Sequence, residues 1–305
     1  MRTAIISDIH GNLEALHTVL ADIDRRGVNE IICLGDILGY GPNPLECVDL
    51  VAERCAWSLM GNHDYAVLYE PTNFNAVAKR AAYWTREKLD EAAETDPDSG
   101  NRRLDFLNRI RARVRYQDAY ICVHGSVRKP INEYVFDSDA QDDPRKMKDI
   151  FDRIEPDMEV GGRLVKARCL VGHTHVPGVF QWTDEDGADF TRAANLGGVA
   201  TVDPFSADEA PAAESRGSGD SGEGDPFLVG SHVFDPEEKS IVNPGSVGQP
   251  RDLDERASYA ILDTDTPEHR VDFFRLPYDI DAVADKIYAI QALDDWLGDR
   301  LAEGR

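Results

Sequence analysis

Ile5-Ile6-Ser7-Asp8-Ile9-His10-Gly11-Asn12, close to the N-terminus, is the stretch from which the rest of the chain is read. An apolar run ends in two metal-ligand residue types two positions apart. In extended backbone the side chains of i and i+2 point the same way, so Asp8 and His10 are expected to reach one ion from the carboxyl end of a strand. In α/β sheets that end is where sites form. A hydrogen-bonded pair at a strand end gives the same string, so recurrence along the chain decides.

The device does recur. Thr3 to Ser7 reads as a first strand, and Asn12 caps a helix with Leu13, Leu16, Val19, Leu20 and Ile23 on one face, ended by Gly27. Ile31 to Leu34 is a second buried strand closed by Gly35-Asp36. A parallel crossover between the two brings Asp36 beside Asp8 and His10. Ala56 to Met60 is a third strand and ends in Gly61-Asn62-His63-Asp64. Ala119 to Val123 delivers His124, and Ala167 to Val171 delivers Gly172-His173-Thr174-His175.

Between these strands the pattern is helical over Pro44–Arg54, Asn73–Thr95, Leu104–Arg113 and Asp142–Ile154, with a turn at Asp96–Asn101. The arginines 102, 103, 109, 111 and 113 read as a solvated helix face paired with carboxylates. Alternating β pattern follows Val176, and Ala257–Leu262 with Arg270–Leu276 reads as an antiparallel pair. Asp279 to Leu301 reads as a closing amphipathic helix with Val283, Ile287, Ile290 and Leu293 on one face. The segment at about 203–225, rich in Ser, Gly, Asp and Glu, lacks the apolar surface to fold alone and is expected to be a flexible insertion. Residues 1–305 are thus expected to form a single domain with a parallel half, a largely antiparallel half and that insertion.

Hydrophobic residues make up 42% of the 305, enough for a sizeable core. No apolar run approaches the roughly 20 residues of a membrane span. The N-terminus reads directly into the first strand, so no signal peptide is expected, and Cys33, Cys47, Cys55, Cys122 and Cys169 form no Cys-x-x-Cys, so reduced thiols in a cytoplasmic protein are expected. The net charge of −24 disfavours extended nucleic acid and anionic membranes as partners. A small anionic substrate remains compatible, because bound cations dominate a local field. The oligomeric state is not legible.

The polar strand ends collect Asp8, His10, Asp36, Asn62, His63, His124, His173 and His175, with five of the chain's eight histidines and no cysteine. Imidazole with carboxylate and amide oxygen suits Mn, Fe, Zn or Ni. So many donors exceed one tetrahedral zinc and suit two divalent ions about 3.5–4 Å apart sharing a carboxylate.

In this order, Asp8-x-His10, Gly35-Asp36, Gly61-Asn62-His63-Asp64, His124 and Gly172-His173-Thr174-His175 resemble the calcineurin-like metallophosphoesterase superfamily. Asn243-Pro244-Gly245-Ser246 resembles a C-terminal signature of its smaller bacterial and archaeal members. The resemblance implies an α/β fold, a four-layer αββα sandwich of two mixed β-sheets flanked by helices. It implies one ion on Asp8, His10, Asp36 and His175, and a second on Asp36, Asn62, His124 and His173, with Asp36 bridging. The activity implied is hydrolysis of phosphomonoesters or phosphodiesters by in-line attack of a metal-bridging hydroxide. His63 is expected to be the general acid or a transition-state contact; the other reading is that it packs or holds Asn62. Many relatives carry Gly-Asp-x-x-Asp, whose second aspartate supports that histidine; here the position is Gly39, leaving Asp64 or another group to orient His63. Arg251 is a candidate phosphate contact or else a surface ion pair to Asp252 or Asp254, and Tyr40 and Asn12 flank the expected site. Small phosphate esters are the expected substrates, with small nucleotides or simple phosphodiesters slightly in the lead and dinucleoside polyphosphates and phosphoproteins as alternatives. A non-catalytic metal-binding scaffold is the rival of another class.

Overall fold

The computed structural model describes residues 1–155, 157–160, 163–196, 225–265 and 268–305. The expected insertion at 203–225 lies outside these except for Asp225, which pairs with Arg26.

The N-terminal segment alternates strand and helix: β1 (Arg2–Ile6), α1 (Leu13–Arg26), β2 (Glu30–Cys33), α2 (Pro44–Arg54), β3 (Trp57–Ser58), α3 (Asn62–Leu68), α4 (Ala76–Thr95) and α5 (Pro97–Leu107). A hairpin, β4 (Arg113–Tyr116) and β5 (Tyr120–Val123), precedes α6 (Asp139–Asp142) and α7 (Pro144–Asp152). Then come a small pair, β6 (Met158–Val160) and β7 (Arg163–Val165), and β8 (Arg168–Leu170), β9 (Gly178–Thr183) and β10 (Gly187–Arg192). The chain closes with β11 (Leu228–Val233), β12 (Lys239–Asn243), β13 (Ala257–Asp263), β14 (Arg270–Leu276), α8 (Ile280–Tyr288) and α9 (Trp296–Asp299).

The fold is α/β, built on two mixed sheets of six strands. One has the order β11-β14-β13-β1-β2-β3 and the other β10-β9-β12-β8-β5-β4. Strand alternation explains the layering. Ile5 and Ile32 face Cys122, Leu170 and Val242 of the other sheet. Their neighbours Ala4, Ile6, Ile31 and Cys33 face outward onto α1 and α2. On the second sheet Ile121, Val123, Cys169 and Ile241 pack on Met147, Ile150 and Phe151 of α7. Helix, sheet, sheet and helix therefore stack in four layers. Ile5 has no exposed surface, and truncating such a side chain to alanine costs about 2–5 kcal/mol.

Parallel and antiparallel pairing is not divided between chain halves. Each sheet holds three parallel strands, β1-β2-β3 in one and β5-β8-β12 in the other, with antiparallel strands completing it. The apolar runs are short in both kinds of strand, so one strand's pattern does not reveal its partner's direction.

Helix boundaries follow caps. Asn12 accepts from the Ala15 amide at 3.1 Å, and Gly27 ends α1 in the left-handed region at φ 62°. The expected turn at Asp96–Asn101 is instead the start of α5: Asp96 caps it and Pro97 occupies the first helical position. That helix ends at Leu107, so the arginine run is not one face; Arg113 lies on β4, and Arg103 pairs with Asp49 at 2.6 Å. The closing helix breaks after Tyr288 and restarts at Trp296, where the Asp294 carboxylate accepts from the Trp296 amide. Its apolar face survives the break: Val283, Ile287, Leu293 and Leu297 pack with Ala81 and Trp84 of α4. Among the described residues no helix is long and apolar enough to cross a membrane.

Candidate metal centre

The carboxyl ends of β1, β2, β3, β5 and β8 point into one place, and the eight polar residues expected there meet. All eight are at most 7% exposed. The loops differ from the extended backbone expected of Asp-x-His. Asp8, His10, Asp36, His173 and His175 all have positive φ, between 52° and 68°. A non-glycine residue held there costs of order 1–3 kcal/mol, and such strain gathers at functional sites. At the ends of β1, β2 and β8 the side chains converge because the strand stops and curls, not because alternate residues share a face.

Asp8 Oδ1 lies 3.2 Å from His175 Nε2 and 4.0 Å from His10 Nε2. Asp36 Oδ2 lies 3.2 Å from His124 Nε2 and 3.7 Å from His10 Nε2. The ligand atoms of Asp8, His10 and His175 fall within 4.8 Å of one another, as do those of Asp36, His124 and His173. Asp36 belongs to the second group and reaches the first through His10, 3.7 Å away. His63 joins a third group with His10 and Asp36, so it stands at ligand distance rather than merely beside a ligand.

Backbone carbonyls set the imidazoles. His10 Nδ1 is 3.1 Å from the Leu38 carbonyl, His124 Nδ1 is 2.9 Å from that of Leu34, and His175 Nδ1 bonds that of Gln249. An Nδ1–H donated outward leaves the Nε2 lone pair facing the cluster, as metal-binding histidines require. Four inward atoms, Asp36 Oδ2, Asn62 Oδ1, His124 Nε2 and His173 Nε2, are buried without a hydrogen-bond partner. Leaving such atoms unpaired costs about 1–3 kcal/mol each, and a cation between them removes that cost. The donor set thus fits divalent ions on an observation independent of spacing.

The charges agree. Burial alone would raise the Asp8 carboxyl; the charge and hydrogen bond of His175, then His124, hold it below the usual carboxylate range. Burial would lower His124, but Asp36 and then Asp8 push it up to about 9. A cation would take the place of that proton. Burial, only partly opposed by Asp36, lowers His63 to about 4.

Asp64 does not orient His63. Its oxygens accept from the amides of Asp36, Leu38 and Gly61 at 2.9–3.0 Å. Burial and Asp36 push its carboxyl up to about 7, against the pull of those amides. Asp64 is a brace that fixes the Asp36 loop to the start of α3. Gly61 is dictated by the same crowding: a Cβ there would lie 1.9 Å from Asp36 Oδ1. The His63 amide donates to that oxygen at 2.8 Å.

Arg251 is half-buried and makes neither of the expected ion pairs. Asp252 pairs with Arg275 and Asp254 with Arg256. Arg251 instead donates to the Gln249 side chain at 3.0 Å, and its Nε is buried without a partner. Tyr40 packs on His10 and His63 at ring distances of 4.9 and 4.3 Å. Asn12 serves as the α1 cap and donates to the Gly248 carbonyl at 2.9 Å.

The sequence shows the Asn243–Ser246 turn but not what it holds, and it gives no sign of two aromatic supports. Asn243 Nδ2 bonds the Gly172 carbonyl and Thr174 Oγ1, and Ser246 Oγ donates to the Asp8 carbonyl at 2.7 Å. The Asn-Pro-Gly-Ser turn therefore ties the loop of His173 and His175 to that of Asp8. The turn chemistry was visible in the sequence; its target was not. Tyr134 stacks on His173 at 3.7 Å, and Phe74 packs on His63 at 4.6 Å. Neither carries a signal in sequence.

This fold with this site defines a class, the metallophosphoesterases. Residues 1–191 match the family described as calcineurin-like phosphoesterase, and the chain belongs to that metal-dependent family. A Methanocaldococcus jannaschii protein, named only as uncharacterized protein MJ0912, is 33% identical over 309 residues, spanning 99% of this chain and 98% of its own. The crystal structure of a metallophosphoesterase from Sphaerobacter thermophilus matches with a TM-score of 0.69 at 32% identity, covering 100% of this chain and 99% of the other. Hypothetical protein PH1004 from Pyrococcus horikoshii OT3 shares the fold at a TM-score of 0.63 and 16% identity, covering 100% and 98%.

Proposed function

We propose that the protein is a dinuclear metal-dependent phosphoesterase acting on small phosphomonoesters or phosphodiesters. The observation that carries this reading is the set of four buried, unpartnered ligand atoms on Asp36, Asn62, His124 and His173, adjoining Asp8, His10 and His175. Asp8, His10, Asp36 and His175 would hold one ion and Asp36, Asn62, His124 and His173 the other. Bound divalent ions supply charge to offset the phosphate oxygens and lower the pKa of water. The chain's own residues do the rest. Arg251, whose Nε has no partner within the protein, binds a non-bridging phosphate oxygen. His63 faces the departing oxygen. With its ring neutral at pH 7, it acts as a hydrogen-bond donor to that oxygen more than as a full acid.

Hydrolysis of bis-p-nitrophenyl phosphate and p-nitrophenyl phosphate by the purified chain with added Mn²⁺ tests the reading. Turnover that chelation abolishes supports it. Bound ions without turnover, for any divalent metal tried, would instead favour a metal-binding scaffold.

A further inference from the structure

A cleft of about 290 Å³ opens against the candidate ligands. Asn62, His63 and His173 form its floor, and Asn73, Phe74, Asn132 and Tyr134 line its mouth. Resting on the phosphoesterase reading, we infer that this cleft takes the leaving group and that this group is an uncharged nucleoside. The substrate class is then a nucleoside monophosphate, not a polyphosphate or a phosphoprotein.

Position comes first. A leaving group departs on the side of phosphorus opposite the attacking water, and His63 lies both in the ligand cluster and on the cleft floor. Whatever hangs from the departing oxygen therefore extends past His63 toward Phe74. The cleft is at the small end of the roughly 300–1,000 Å³ range of ligand sites, room for one compact group rather than a folded partner's loop.

The lining chemistry then narrows the group. Among the described residues no lysine or arginine lines this cleft. In a chain with 57 acidic and 33 basic residues, further phosphates there would find no lysine or arginine counter-charge on the described lining. The lining offers rings and amides instead. Phe74 is half-buried, and its ring is set by contact with His63 at 4.6 Å. Tyr134 is stacked on both His173 and Phe136, at 3.7 and 5.0 Å, which leaves its hydroxyl edge for polar contact. Asn73 and Asn132 are exposed at the mouth, each with an amide that both donates and accepts. A fixed ring face beside amide groups suits a planar base with mixed donors and acceptors on its edge. In the reaction the water oxygen bonds phosphorus and the bond from phosphorus to the ribose oxygen breaks. That oxygen takes a proton, giving nucleoside and orthophosphate.

The test uses the full chain loaded with Mn²⁺ and compares adenosine and guanosine monophosphates with glycerol 2-phosphate, glucose 6-phosphate and diadenosine tetraphosphate. A second readout is calorimetric binding of adenosine and guanosine, which carry no phosphate. The inference expects at least one nucleoside monophosphate to exceed glycerol 2-phosphate in kcat/KM by about tenfold or more, the scale of one stacked base. It expects nucleoside binding to weaken by about fivefold or more in Phe74→Leu and in Asn132→Ala, with metal content retained. Preference for the tetraphosphate or the sugar phosphate would overturn it, as would nucleoside binding unchanged in both variants. If none of these esters, nor bis-p-nitrophenyl phosphate, is turned over while ions are bound, the phosphoesterase reading itself falls. If only the nucleotide preference is missing, that reading stands and the cleft assignment falls.

Discussion

Gly39 lies so close under the His63 ring that a Cβ at that position would sit 2.6 Å from Nδ1. Its φ of +86° is in the region L side chains rarely adopt. Position 39, where many relatives carry the aspartate that supports this histidine, is here closed to any side chain. His63 is held instead by rings, those of Tyr40, Phe74 and His10. Gly39→Ala is expected to displace the ring and lower kcat by about a hundredfold, since a shift of an ångström at a reacting group has that effect. Gly39→Asp should do no better. Steady-state kinetics alongside metal analysis check this; activity raised by Gly39→Asp would show that the aspartate arrangement is still accessible.

His63→Ala separates two roles. As a contact to the departing oxygen, its loss lowers kcat by about 10²–10⁴-fold with metal content near normal. Its place in a group with His10 and Asp36 makes a ligand role the competing outcome. Metal content of the variant, measured by inductively coupled plasma mass spectrometry, decides; loss of one ion would reassign His63 as a ligand.

Asp64→Asn keeps the shape and removes charge and acceptor capacity from a group bonding three amides. Each poorly satisfied buried donor costs about 1–3 kcal/mol. The expected result is a lowered melting temperature and metal affinity weakened about 10–100-fold, as for other residues that orient ligands. Titration of the metal-free chain with Mn²⁺ reads the second effect; unchanged affinity would reduce Asp64 to a purely local cap.

The far end of the sheets carries a pH effect. Burial, then Arg168, lowers both His232 and His269 to about 4. Their unfolded value is near 6.5. A histidine whose folded pKa is depressed stabilises the fold above the unfolded pKa and loses that contribution as pH falls toward the folded one. Acid stability should therefore decline between about pH 6.5 and 4. The double variant His232→Gln, His269→Gln should show a shallower decline over that window in denaturant titrations. An identical slope in the variant would mean these two rings do not contribute.

How much was legible depends on the kind of signal. Asp8, His10, Asp36, His124, His173 and His175 were readable because each ends an apolar strand, and strand ends of parallel units share one side of a sheet. The left-handed turns that aim all of these but His124 were not, since Asp and His carry no warning of positive φ comparable to glycine. The pairing of β12 beside β8 was invisible, because long-range partners leave no local pattern. The start of α5 was missed although Asp96-Pro97 is a start signal; the polar stretch behind it looked like a turn. Arg251 was recognised as a candidate, but only the structure showed its neighbours pairing with Arg275 and Arg256 instead.

The most direct test is the metal content of the full chain loaded with Mn²⁺ and freed of excess ion, for wild type and Asp36→Asn. With Asp36 shared between two ligand groups, two ions per wild-type chain and a loss at both positions in the variant are expected. A single ion in the wild type, or an Asp36→Asn chain that keeps two, would contradict the dinuclear centre.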